Sequence, residues 1–192
     1  GIRDQPRSRG LGDVYKRQAL IPVRNAQYLK TISENVFLGE NMTTERTLVL
    51  VKPDGIQRGL AGEIITRLER TGLQIIGLKL MQISEDLASR HYGEHRDKPF
   101  YTGLVSFITS SPVIALVLEG PSAVSTTRKT MGATNPADSS PGTIRGDFGV
   151  DMGRNLIHGS ANLEDAAREV SLFFDDFELT DYSRSTQQWI VE

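Results

Sequence analysis

Apolar residues between positions 46 and 120 form short continuous runs, separated by segments with a helical period. The runs predict three strands, at RTLVLVK (46–52), LQIIGLKLMQI (73–83) and VIALVLEG (113–120). The intervening segments predict helices at LAGEIITRLERTG (60–72), SEDLASRHYG (84–93) and residues 102–110. Gly72 suits a left-handed helix end, and Ser84 suits a helix start. KPDG, after the first strand, predicts a turn.

The rest of the chain predicts two helices, a long loop and a fourth strand. PSAVSTTRKTMG (121–132) starts with Pro and ends with Gly, as helices often do, and residues 133–153 form a Gly/Pro/Asp-rich loop without an apolar period. NLIH (155–158) predicts a short strand, and NLEDAAREVSLFF (162–174) a helix capped by Asn162. This order predicts an α+β fold, a ferredoxin-like split βαβ with a four-stranded antiparallel sheet and helices packed on one face. A loop of about 20 residues in such a domain is more often functional than passive.

The first 41 residues do not follow this pattern. GIRDQPRSRGLGDVYKRQ (1–18) has neither a helical nor a strand period, and either an Arg-rich transit peptide or non-native upstream sequence could explain it. One serine in the first 30 residues and two early aspartates favour the second interpretation. Residues 19–41 could form a short helix on the domain. We expect an N-terminal extension over 1–41, non-native or disordered, and one domain over 42–192.

Composition narrows the classes of function. The chain has 192 residues, enough for one domain, and contains no cysteine, which excludes disulfides, thiolate catalysis and Cys-based zinc sites. His91 and His95 lie four apart without further ligands in sequence, so no metal ligands are expected. No apolar stretch is long enough for a membrane span, and we expect a cytoplasmic protein. Residues 42–192 carry 15 Lys/Arg against 20 Asp/Glu, which argues against a broad nucleic-acid surface.

The sequence contains neither of the two common glycine-rich phosphate-binding motifs, G-x-x-x-x-G-K-[ST] and G-x-G-x-x-G. Any phosphate binding must therefore use side chains. The candidates for phosphate binding are Lys52, Arg128, Thr134, Arg145 and Asn155. Each Lys or Arg on its own is more often a solvated surface charge. His158 lies between an apolar run and a Gly-Ser pair, and local sequence leaves it open as a nucleophile, general base, metal ligand or core residue.

Four separated motifs resolve these alternatives. KPDGIQRGLAGEII, HYGEHRDKPFY, NPADSSPGTIRGDF and GRNLIHGS, in this order, resemble the nucleoside diphosphate kinase family over residues 45–192. The resemblance implies transfer of the γ-phosphate of ATP to a nucleoside diphosphate, by a ping-pong mechanism through a phosphohistidine at His158. It also implies Mg²⁺ bound through the nucleotide phosphates, and a homo-oligomer that we expect to be a hexamer.

Site roles follow from the resemblance residue by residue. His158 would be the nucleophile and Glu169 the carboxylate that orients it, with Lys52 as the third catalytic residue. The expected nucleotide-binding residues are Lys52, Tyr92, Arg128, Thr134 and Arg145 at the phosphates, Phe100 at the base, and Asn155 with Lys52 at the ribose. An imidazole nitrogen is nucleophilic only when it is neutral and in the correct tautomer, which an opposing carboxylate can fix.

One departure from the family pattern leaves alternatives open. Where the pattern has Gly-Ser-Asp after the histidine, this chain has Ala161, which implies a slower enzyme or a catalytically impaired regulatory homologue. A ferredoxin-like sheet also serves RNA-binding modules, although the acidic domain lacks an aromatic-rich strand signature. The apolar residues Trp189, Ile190 and Val191 could be covered by an adjacent subunit or pack on their own domain.

Overall fold

The computed structural model of the chain describes residues 44–191, and the predicted extension at 1–41 lies outside this range. Its four strands are β1 (Thr44–Val51), β2 (Gln74–Met81), β3 (Val113–Pro121) and β4 (Ile157–Gly159). They form one sheet in the order β2-β3-β1-β4, and every neighbouring pair is antiparallel. This arrangement confirms the predicted four-stranded α+β fold.

Seven α-helices connect and flank the strands in the described range. They are α1 (Pro53–Gln57), α2 (Ala61–Glu69), α3 (Glu85–His91), α4 (Tyr101–Ile108), α5 (Ala123–Met131), α6 (Ile144–Phe148) and α7 (Leu163–Phe173). The predicted caps are present, because the side chain of Ser84 accepts from Leu87 N–H and that of Asn162 from Asp165 N–H. Within residues 44–191, none of the helices combines the length and apolar character that crossing a membrane requires.

Helices cover both faces of the sheet, so the expectation of helices on one face was wrong. Leu48 and Leu50 of β1 point into a core shared with α3 and α7, whereas Val49 and Val51 point into a second core with α2 and α5. The four residues are fully buried. An unbroken apolar run of this kind is typical of a strand buried on both sides, and it places β1 at the centre of the domain.

Three details around the loops differ from the sequence prediction. Pro121 ends β3 instead of starting a helix, and α5 follows Ser122, whose φ is 48°. The KPDG segment enters a helix directly, with Pro53 in the first turn of α1. The long loop contains α6, capped by the Thr143 side chain. A helix of five residues is too short to show a period in the sequence.

The C-terminal tail packs on its own domain along the start of β2. Arg184 donates to the carbonyl oxygens of Gly72, at 2.6 Å, and Leu73, at 3.3 Å. Gly72 adopts a left-handed φ of 89°, and a Cβ there would lie 2.6 Å from Ile190 Cγ2. Trp189 remains 82% exposed. Contacts within the chain therefore hold Ile190 but leave the tryptophan uncovered.

Candidate active site

The sheet brings together segments that are about a hundred residues apart. β4 pairs with β1 so that His158 lies opposite Leu50 and Ile157 opposite Val51. Immediately beyond this pairing, Lys52 N–H donates to the carbonyl of Leu156 at 2.8 Å. The end of β1 and the start of β4 therefore form one edge of the site.

His158 faces a buried carboxylate. Its Nε2 lies 3.1 Å from each carboxylate oxygen of Glu169, which projects from α7, and Ser160 Oγ donates to Glu169 Oε2 at 2.7 Å. Burial alone would raise the pKa of Glu169, but the hydrogen bonds from His158 and Ser160 lower it to about 2. An ionised acceptor favours the tautomer with the proton on Nε2, which leaves a lone pair on Nδ1 of His158.

His91 also belongs to this cluster, although the sequence offered only His95 as its companion. Its ring packs edge-on against His158 at 4.8 Å between centroids, and Nδ1 lies 3.6 Å from Glu169 Oε1. Burial lowers the pKa of His91 to about 3, with a further contribution from His158, so the ring is neutral at physiological pH. Neither ring nitrogen has a hydrogen-bond partner among the described residues.

Lys52 and Asn155 form the polar pair at the edge of the site. Lys52 Nζ donates to Asn155 Oδ1 at 2.6 Å, and Asn155 Nδ2 donates to the carbonyl of Thr134 at 2.7 Å. Burial lowers the pKa of Lys52 to about 8; Arg145 adds to this effect and Asp54 opposes it. A bound anion would raise this pKa again, so the ammonium is suited to a negatively charged ligand.

Backbone carbonyls hold Arg145 in place. Its guanidinium donates to the carbonyls of Asn155, Gly132, Ala133 and Ile157, at 2.6 to 3.2 Å. Burial lowers the pKa of Arg145 to about 10, with a smaller contribution from Arg128. Arg128 itself donates to the Gly159 carbonyl at 3.4 Å. Among the described residues, the bonds of Arg145 use four of its five N–H groups and leave one on Nη2 for a ligand. Arg145 is thus a positioned cation.

The remaining predicted residues lie around this centre. Tyr92 is buried beside His91, and burial, with the nearby Glu169, raises the pKa of its hydroxyl, which therefore keeps its proton. Phe100 is 56% exposed and makes an edge contact with His95, whose ring also stacks on Tyr92. Thr134 is exposed and is linked to the site through Asn155. The ring of Phe100 and the side chain of Thr134 are exposed and accessible to a ligand, whereas the Tyr92 hydroxyl is buried without a hydrogen-bond partner among the described residues.

Sequence reasoning missed three residues that shape the centre: His91, Asp54 and Ser160. Asp54 Oδ2 accepts from Leu156 N–H at 3.0 Å, and Ser160 bonds to Glu169 as described above. Asp54 lies in KPDG and Ser160 in HGS, so the available signal was their position inside the motifs. His91 likewise opens the motif HYGEHRDKPFY, and it lies on the buried face of α3.

Comparison with known proteins gives a consistent result. The family model described as nucleoside diphosphate kinase matches residues 45–179. A nucleoside diphosphate kinase of Desulforamulus reducens is 60% identical over 148 residues, which cover 77% of this chain and 99% of that protein. One from Archaeoglobus fulgidus is 54% identical, with 77% and 98% covered.

A solved structure supports the same relationship. The halophilic nucleoside diphosphate kinase of Halobacterium salinarum, in complex with CDP, is 56% identical and superposes with a TM-score of 0.76, covering 78% of this chain and all of that one. The region that the family model matches, residues 45–179, includes His158, Glu169 and the long loop. The chain therefore belongs to the nucleoside diphosphate kinase family and is a phosphotransferase.

Proposed function

We propose that His158 carries the phosphoryl group in the nucleoside diphosphate kinase reaction of this chain. The Nδ1 lone pair attacks the γ-phosphorus of a nucleoside triphosphate, a nitrogen–phosphorus bond forms, and the bond to the bridging oxygen breaks so that the nucleoside diphosphate leaves. A β-phosphate oxygen of a second nucleoside diphosphate then attacks the same phosphorus and restores the histidine. The observation that carries this proposal is the pairing of Nε2 with Glu169, which leaves Nδ1 available.

Accessibility and charge support the same assignment. The side chain of His158 is 21% exposed, so a ligand can reach the ring, whereas that of Glu169 is 5% exposed and shielded from water. Glu169 remains ionised and pairs with Nε2–H throughout the cycle. It stabilises the positive charge that develops on the ring when Nδ1 bonds to phosphorus.

The surrounding cations would align the nucleotide. Arg128 bonds to Gly159, Arg145 to Ile157 and Lys52 to Asn155, so the three side chains supply positive charge on both sides of His158 along the chain. Phosphoryl transfer depends mainly on such alignment and charge stabilisation. Tyr92 and Thr134 would add neutral donors to the phosphates. We assign Phe100 to base stacking and Asn155, together with Lys52, to the ribose hydroxyl. Stacking on Phe100 distinguishes poorly between different bases, so we expect broad nucleotide specificity.

Mg²⁺ fits the site as part of the nucleotide complex. The two buried carboxylates of the site, Asp54 and Glu169, already accept hydrogen bonds, and the other polar groups are mostly cationic. His91, His158 and Glu169 are close enough to hold a metal ion, but a pair of imidazoles suits transition metals better than Mg²⁺. Bound to the phosphates, Mg²⁺ would neutralise charge on them, while Lys52, Arg128 and Arg145 fix their position.

Labelling with [γ-³²P]ATP tests the proposal. We expect an acid-labile, base-stable phosphoenzyme that unlabelled nucleoside diphosphate discharges. Peptide mapping should place the label on His158. Label at another residue, or turnover without a phosphoenzyme, would reject the assignment. The same measurement distinguishes an active enzyme from a catalytically impaired homologue, which Ala161 left open.

We further propose a homo-oligomer, with the hexamer as the expected assembly. Support comes from apolar side chains that are exposed within the described range: Leu78 and Leu80 on the edge strand β2, Val150 and Met152 in the long loop, and Trp189 in the tail. Sedimentation equilibrium at micromolar concentration tests it. A monomeric mass would reject the oligomer, and a tetramer would reject the hexamer.

The cytoplasmic location stays a prediction, which cell fractionation would test.

A further inference from the structure

A strained turn precedes the strand that carries His158. Leu156 has a φ of 69°, in the left-handed region that leucine rarely adopts, and Ile157 N–H donates to the carbonyl of Asn155 at 2.8 Å. This three-residue pattern is a classic γ-turn, which is uncommon and strained. Leu156 is fully buried. Such a conformation persists only when surrounding contacts enforce it.

The KPDG segment supplies those contacts. Both main-chain polar groups of Leu156 are bound by it: Leu156 N–H donates to Asp54 Oδ2 at 3.0 Å, and the Leu156 carbonyl accepts from Lys52 N–H at 2.8 Å. Gly55 allows the close approach, since a Cβ at that position would lie 3.1 Å from the Leu156 carbonyl oxygen. The segment therefore clamps the turn on two sides.

Among the described residues, the carboxylate of Asp54 accepts one hydrogen bond, from Leu156 N–H, and its charge also raises the pKa of Lys52. The residue is buried, and its second oxygen, Oδ1, has no hydrogen-bond partner among the residues in the described range. Burying a carboxylate is costly unless its charge strengthens an important interaction. The donor of that hydrogen bond is the strained residue, Leu156, two positions before His158.

The turn decides which way the two flanking side chains point. Asn155, on one side of it, meets Lys52, and His158, on the other, lies opposite Leu50 and faces α7. Side chains alternate between the faces of a strand, so a one-residue slip of β4 would turn His158 away from Glu169. The geometry of the nucleophile depends on this turn.

We propose that Asp54 is a positioning residue that holds the Leu156 γ-turn and thereby aligns His158 with the γ-phosphate. The inference rests on the proposed role of His158 as the phosphate acceptor. Asp54 does not touch the reacting atoms; it acts through the main chain of Leu156. Its loss should therefore slow phosphoryl transfer more than it weakens nucleotide binding.

Three variants test this role by single-turnover phosphorylation and nucleotide affinity. Asp54→Ala should slow phosphoenzyme formation about a hundredfold, the effect of a small misalignment, while the nucleotide dissociation constant changes by less than about threefold. Asp54→Asn retains an acceptor and should recover most of the rate. The control is Glu45→Ala, which removes a similar carboxylate bond, to Val124 N–H, at the far end of β1. It should leave the rate unchanged.

The outcomes separate this inference from the proposed function. If the wild type carries its label on a residue other than His158, the proposed function fails. If His158 is labelled and Asp54→Ala reacts at the wild-type rate, only the positioning role fails. It also fails if Asp54→Asn is as slow as Asp54→Ala. Should Asp54→Ala not fold, hydrogen exchange of the wild type decides, since rapid exchange of the Leu156 amide would overturn the clamp.

Discussion

Replacing Glu169 by Gln perturbs His158 while leaving in place the cations that we propose to bind the phosphates. The wild-type carboxylate accepts from both His158 Nε2 and Ser160 Oγ. A glutamine amide offers one acceptor oxygen and one donor nitrogen. If the nitrogen faces His158, the ring must shift its proton to Nδ1 and lose the lone pair needed for attack.

The magnitude follows from the hydrogen bond that is weakened. A bond to a charged group contributes about 1.5–3 kcal/mol, against about 0.5–1.5 kcal/mol for a neutral pair. The difference, about 1–1.5 kcal/mol, lowers the rate about 5- to 12-fold if it is felt in the transition state. Nucleotide affinity should change little, because the proposed phosphate contacts are with Lys52, Arg128 and Arg145.

Rapid-quench measurement of phosphoenzyme formation at saturating ATP gives the rate, and calorimetry gives the affinity. The matched control is Glu164→Gln, on the exposed first turn of the same helix, which should behave as wild type. A Glu169→Gln rate within threefold of the wild type would refute the reasoning, as would a loss confined to binding.

Three further predictions test other parts of the account. Because the pKa of Lys52 is lowered to about 8, its ammonium charge is present below that pH and lost above it. We therefore expect kcat/KM for ATP to fall as the pH rises through about 8. A Lys52→Arg variant with the same decline would contradict this expectation. Deleting residues 1–41 should leave activity unchanged and shift the melting temperature by less than about 2 °C, and a larger loss would mean that the segment docks on the domain. Ala161→Asp restores the carboxylate of the family pattern at an exposed position and should raise turnover severalfold in steady-state assays, whereas unchanged turnover would show that this carboxylate is dispensable here.

Much of the fold followed from the sequence because long apolar patterns report burial directly. The first three strands and the helices α2, α3 and α7 were predicted within a few residues, since each shows a clear period or cap. The helix α6 was missed, and its stability comes from the Thr143 cap and the burial of Ile144 and Arg145. Coverage of both sheet faces was missed although LVLV in β1 indicated it.

The sequence predicted individual residues of the site but not their arrangement. Motif resemblance singled out His158, Glu169 and Arg145, but their contacts depend on tertiary structure. The neighbouring sequence does not indicate that Arg145 donates four hydrogen bonds to carbonyl oxygens, or that Leu156 adopts a left-handed φ. His91 was compared with His95, four residues away, whereas its neighbour in space is 67 positions further along the chain.

The most direct test of the central claim is the position of the phosphoryl group after a single turnover. Wild-type protein and His158→Asn are incubated with [γ-³²P]ATP, and the products are examined by alkaline peptide mapping and mass spectrometry. We expect one phosphate on Nδ1 of His158 in the wild type, discharged by nucleoside diphosphate, and none in a folded His158→Asn. A phosphoenzyme of equal yield in the variant would contradict the claim.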